Sequence, residues 1–120
     1  MTHKINRQYH VLDAEGQIAG RLATKVASLL MGKGKIDYAT NVDNGDFVKV
    51  TNISALKFSG KKLVNKVYYS HSGYPGGLKE TKLSARVNKS PEVLFKSIVK
   101  SMLPKNKLQN PMIKRLTVLK

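Results

Sequence analysis

Ile18, Leu22, Val26 and Leu29 recur at spacings of four, four and three, with Gln17, Arg21, Thr24 and Ser28 on the opposite side. That period predicts an amphipathic helix from Gln17 to Gly32, where the glycine supplies a C-cap. Upstream, Tyr9-His10-Val11-Leu12 reads as a short strand ending at Asp13-Ala14-Glu15-Gly16. Downstream, the turn cluster Asn41-Val42-Asp43-Asn44-Gly45-Asp46 leads into a second strand, Phe47-Val48-Lys49-Val50-Thr51. Strand, helix and strand in this order make a right-handed βαβ unit the expected seed of an α/β fold.

The rest of the chain adds to that seed. Leu56-Lys57-Phe58 is expected to begin a short third strand, closed by Ser59-Gly60-Lys61-Lys62. Thr81 is expected to cap a short helix from Lys82 to about Lys89. Ser90-Pro91-Glu92 opens a longer helix with an N-cap serine, a proline at the first position and an acid in the first turn. Its core face is read as Leu94, Ile98 and Met102, widened by Phe95 and Val99, and Pro104 ends it. Asn110-Pro111 is expected to cap a helix from Met112 to Arg115, and Leu116-Thr117-Val118-Leu119 to form a last strand that joins the sheet. Helices on both faces of a small, mostly parallel sheet follow, in one domain spanning residues 1–120.

Charge is the strongest global signal. The formal net charge is +15, from 22 basic and 7 acidic side chains, and it is unevenly spread. Residues 1–46 hold 6 basic and 5 acidic side chains, whereas residues 47–120 hold 16 and 2. A self-repelling field of this kind calls for a polyanionic partner, nucleic acid first, built mainly on the last two thirds of the chain. Lysines outnumber arginines 18 to 4, which suits phosphate and shape recognition better than bidentate reading of base edges. An anionic membrane surface fits less well, because the charge is not gathered on one amphipathic helix. No run of about 18 apolar residues is available for a membrane span, and the start MTHKINRQYH lacks the apolar core of a signal peptide. With no cysteine in the chain, a reducing, intracellular and soluble setting is expected.

Motifs for catalysis or cofactors fail on spacing. Gly16 and Gly20 make G-x-x-x-G rather than a dinucleotide fingerprint, and Gly32-Lys33-Gly34-Lys35 is no P-loop. Asp43-Asn44-Gly45-Asp46 is too short for a calcium loop and reads as a turn into the second strand. No cofactor or metal site is therefore expected. Of three histidines, His3 lies in a polar leader and His10 in a strand, so only His71 sits where a reacting group could reach it, with Glu80 as the nearest carboxylate in sequence.

His71 belongs to the stretch the chain is organised around, Lys66 to Lys79, KVYYSHSGYPGGLK. The β-favouring Val67-Tyr68-Tyr69 enters Ser70 to Gly77, where three glycines and a proline argue for a shaped loop. Aromatic rings, an imidazole and flanking lysines suit an irregular RNA surface. They equally suit a structural turn in which Tyr74 packs on Pro75 and one of Tyr68 and Tyr69 faces a core.

Gly60 to Lys79, GKKLVNKVYYSHSGYPGGLK, resembles the signature of the bacterial large-subunit ribosomal protein thirteen family. Asp13-Ala14-Glu15-Gly16 with Gly20-Arg21-Leu22-Ala23, then Asn44-Gly45-Asp46-Phe47-Val48, then Met102-Leu103-Pro104-Lys105-Asn106-Lys107-Leu108, follow in the family's order and spacing. The resemblance covers about residues 8–119. It departs at Gln8, where the family commonly has tryptophan, and at Lys35-Ile36, where it has a histidine-proline pair.

What the resemblance implies is a non-enzymatic, cytoplasmic protein that binds large-subunit ribosomal RNA and joins early in assembly, among neighbouring ribosomal proteins. It has no membrane or small-molecule partner. The implied fold is a three-layer α/β/α arrangement around a four-stranded sheet. His71, Tyr74, Lys79, Lys61, Lys62, Lys105 and Lys107 are the implied RNA contacts, followed by Arg21, Lys33 and Lys35. Lys66, at the head of the central stretch, and Lys114 and Arg115, at the end of the last helix, complete the candidate set. Two alternatives remain: an RNA-processing enzyme using His71 as acid or base, and a nucleic-acid-binding regulator acting away from the ribosome.

Overall fold

The expected βαβ unit is present. In a computed structural model that describes residues 7–119, it consists of β1 (Tyr9–Asp13), α1 (Ala19–Met31) and β2 (Phe47–Thr51). The two strands are parallel, with Tyr9 opposite Phe47 and Asp13 opposite Thr51. β5 (Leu116–Val118) lies parallel on the other side of β2, Val48 opposite Leu116. His3 lies outside the described residues.

Among the described residues three strands, in the order β1-β2-β5, make up this sheet, where four were expected. The expected third strand at Leu56-Lys57-Phe58 forms only an isolated parallel bridge between Lys57 and Ile18. The Lys57 backbone is committed elsewhere. Its carbonyl accepts the Ala19 N–H at 2.8 Å and its N–H donates to Gln17 at 2.9 Å, so it satisfies the start of α1 instead of extending a sheet.

Layering departs from expectation too. His10, Leu12, Val48, Val50, Leu116 and Val118 point to the helical side, and the last four are buried there with α1 and α4 (Pro91–Met102). On the opposite face Tyr9, Val11, Lys49 and Thr117 are exposed. The two long helices pack against each other and share one core with this side of the sheet. Ala19, Ala23 and Ala27 line the buried side of α1 between Leu22, Val26 and Leu30. Against it α4 turns Leu94, Phe95 and Val99 inward, while Ile98 is half-buried and Met102 exposed, so the core stripe runs through Phe95 rather than Met102.

Helix boundaries shift by a residue or two. α1 starts at Ala19, and Gly32 caps it as expected, with the Gly32 and Lys33 N–H groups returning to Leu29 and Ser28. α3 (Leu83–Lys89) begins after Thr81, which pairs with Tyr68 in a strand and is held extended. Ser90 stands at the α4 N-cap position, but its hydroxyl makes no capping hydrogen bond. α5 (Gln109–Lys114) starts ahead of Asn110-Pro111, so Pro111 falls in the first turn, where its missing N–H is not needed.

The radius of gyration is 16.2 Å and the principal extents 54 × 37 × 21 Å. A compact chain of this length has about 14 Å. A second, two-stranded antiparallel sheet is formed by β3 (Val67–His71) and β4 (Leu78–Lys82), preceded by the single-turn α2 (Lys62–Asn65) and largely exposed on both faces.

Candidate nucleic-acid interface

Regular structure extends further into the central stretch than its glycines suggest. β3 continues to His71, which pairs with Leu78, and only Ser72 to Gly77 is loop. Within it the Gly77 N–H donates to the Tyr74 carbonyl at 2.9 Å, with Pro75 first and Gly76, at φ +74, second between them. That is the type II turn signature, in which the positive φ favours glycine. Tyr74 is displayed at the tip, 74% exposed.

The ribbon has two unlike faces. Tyr69, His71, Leu78 and Glu80 share one; Tyr68, Ser70, Lys79 and Thr81 share the other. Tyr68 is half-buried, with the Arg86 guanidinium 4.2 Å and the Lys66 ammonium 5.7 Å from its ring centre, whereas Tyr69 is 65% exposed. One tyrosine faces inward and one outward, as the β pattern predicts. An isolated hairpin is marginal in water. This one is clamped at its base by buried Leu83, whose N–H donates to the Lys66 carbonyl at 3.0 Å.

His71 is oriented by its own loop. Its Nδ1 accepts the Gly73 N–H at 2.9 Å, so in the neutral ring the proton sits on Nε2, where it donates outward. Among the described residues it makes no ion pair with a carboxylate, and Glu80 lies diagonally across the ribbon.

The remaining candidates separate into two groups. Lys61, Lys62, Lys66 and Lys79 are exposed around the hairpin. Lys105 and Lys107 are exposed in the α4–α5 connector, where Lys105 borders an open groove of about 470 Å³ with Lys100, Ser97 and Gln109. Arg21, Lys33 and Lys114 are exposed on other surfaces. Arg115 and Lys35 are engaged within the fold.

Arg115, one of the expected RNA contacts, is engaged inside the fold. Its side chain is 8% exposed, and its two terminal nitrogens bind both carboxylate oxygens of Asp43 at 2.5 and 2.6 Å. Nη2 also donates to the Leu30 carbonyl at 2.8 Å, satisfying the end of α1. Arg7 reaches the same turn, 3.8 Å from Asp43 and bonded to the Gly45 carbonyl. Asp46 binds Lys35 at 2.7 Å, His10 at 2.9 Å and the Gln8 N–H at 3.1 Å. Burial pushes the Asp46 carboxyl upward, but Lys35, His10 and the Gln8 N–H outweigh it and hold the group below 3.8.

Sequence reasoning treated this Asp43–Asp46 turn as a simple connector. The available signal was charge: three of the seven acids, Asp37, Asp43 and Asp46, precede the second strand in an otherwise basic chain. Arg86 and Lys100, helical cations that read in sequence as ordinary solvated faces, lie over the Tyr68 ring and along the groove beside Lys105.

Among the described residues no group of three or more His, Asp or Glu is placed to hold a metal ion, and no helix is long and apolar enough to cross a membrane.

The family model described as ribosomal protein L13 matches residues 7–120. This chain belongs to the ribosomal protein L13 family. Similar proteins carry the name large ribosomal subunit protein uL13. That of Trichlorobacter lovleyi is 50% identical over 114 residues, covering 95% of this chain and 80% of the relative. Those of Brevibacillus brevis and Thermotoga petrophila are each 50% identical over 115 residues, covering 96% of this chain and 79% and 77% of the relatives. The family is a structural ribosomal one, and the chain is not an enzyme.

Proposed function

We propose that this single-domain protein binds large-subunit ribosomal RNA directly, joins early in subunit assembly and works in the cytoplasm beside other ribosomal proteins. The observation that carries the reading is the projecting hairpin. It offers exposed Tyr69, Tyr74 and His71 on a clamped ribbon ringed by Lys61, Lys62, Lys66 and Lys79. Rings supply faces for unpaired bases, the imidazole supplies an outward donor, and the lysines supply phosphate charge. With Lys79 and His71 on opposite faces, the hairpin fits into an RNA crevice better than against a flat surface. Lys105 and Lys107 in the α4–α5 connector would add a second phosphate grip. A grip built from the protein's own loops needs no other protein already in place, which favours an early position in assembly.

Titration against protein-free large-subunit ribosomal RNA at rising salt tests this. Neutralising about 6 to 10 phosphates makes affinity fall steeply with salt, and each of Lys61→Ala, Lys62→Ala and Lys79→Ala should flatten the slope by about one unit. Salt-independent affinity, or a triple variant that binds like the parent, would refute the reading.

A further inference from the structure

All-parallel sheets normally have both faces covered. Among the described residues one face of this sheet lies open, and its main feature is a pair of stacked aromatic rings. Tyr9 and Phe47 sit opposite each other on β1 and β2, with ring centres 4.8 Å apart and planes at 10°. Phe47 is partly covered, while Tyr9 is 80% exposed. The next row across the strands is Val11, Lys49 and Thr117, all exposed, which places a cation on the central strand and a hydroxyl beside it. The two rows line a shallow depression of about 310 Å³. Asp13 lies one row further on, at the end of β1, where the Glu15 N–H and the Asn52 amide engage it.

We propose that this open sheet face is a second RNA site, a stacking platform for an unpaired nucleotide. Tyr9 takes the base, Lys49 the phosphate and Thr117 a polar edge. The chemistry is that of sheet-borne aromatic platforms for single strands, in which a ring accepts any base and a neighbouring cation follows the backbone. Charge complementarity favours RNA over a protein strand, because the centre of the face is a lysine and the lining of the depression contains no acid. The inference rests on the RNA-binding reading above but concerns residues on another part of the fold.

The test uses short oligouridylate and protein-free large-subunit ribosomal RNA as separate probes. Tyr9→Leu should weaken oligouridylate binding about tenfold, Tyr9→Phe should leave it within about twofold, and Lys49→Glu should weaken it independently. Lys49→Glu and Tyr9→Phe should leave the melting temperature unchanged, Tyr9→Leu should lower it by no more than about 6 °C through loss of one aromatic pair, and ultraviolet crosslinking should mark the peptide carrying Tyr9. The platform is overturned if Tyr9→Leu and Lys49→Glu bind oligouridylate like the parent, or if crosslinks fall only within Val67–Lys82. In either case hairpin binding to ribosomal RNA still stands. Failure of the parent to bind either probe removes both readings. Normal oligouridylate affinity combined with loss of incorporation into the subunit would mean that a neighbouring protein covers the face, which also overturns the proposal.

Discussion

Arg115→Met separates a structural arginine from an RNA-binding one. The guanidinium is 8% exposed, makes a two-point pair with Asp43 and satisfies the Leu30 carbonyl. Removing one partner of a buried pair costs about 3–5 kcal/mol, because the other charge stays buried and uncompensated. Arg7 remains 3.8 Å from Asp43 and supplies partial compensation, which sets the expectation near the lower end, about 3 kcal/mol. At about 4 °C per kcal/mol for a domain of this size, the melting temperature should fall by about 12 °C. Replacing both partners, as in Asp43→Leu with Arg115→Met, should recover part of the loss, since only the more exposed Arg7 then lacks a carboxylate. Thermal melts give the first measurement. Salt-dependent RNA affinity, taken where the variant is still folded, gives the second and should show an unchanged slope. A melting temperature within about 2 °C of the parent, together with a slope reduced by about one unit, would refute the structural assignment.

Two further outcomes follow from the same turn. A Cβ added at Gly45 would lie 1.6 Å from the Leu30 carbonyl oxygen and 2.6 Å from Arg115 Nη2. Gly45→Ala should therefore destabilise by about 3 kcal/mol, at the upper end for overpacking because backbone must move, as chemical denaturation would show. The Asp46 carboxyl is held below its ordinary 3.8 in the folded state. Its contribution is fully present above the unfolded value and is lost as pH falls through the lower folded one. Stability of the parent should thus decline below about pH 4, and Asp46→Asn should be weaker at neutral pH with a shallower decline in that window.

Residues with a local cause were legible in the sequence. The period of Ile18, Leu22 and Val26 places α1, and Gly32 ends it because a left-handed cap is a property of one residue and its neighbours. Parallel pairing of β1 with β2 follows from an intervening helix that rules out a tight turn. The motif pattern around His71 pointed to the ribosomal protein L13 family without coordinates.

Tertiary structure decided what depends on distant partners. Lys57 has the neighbours of a strand residue, yet the start of α1 takes its backbone hydrogen bonds and the sheet stays at three strands. Arg115 looks in sequence like one more cation at the end of a basic helix. Only the fold brings Asp43, 72 residues away, within bonding distance and gives the guanidinium an internal partner. The open second face of the sheet is likewise invisible in Tyr9 and Val11, whose alternation is that of any half-buried strand. Whether such a face is covered depends on where the remaining helices pack, and here α1 and α4 bury their apolar sides against each other on the same side of the sheet.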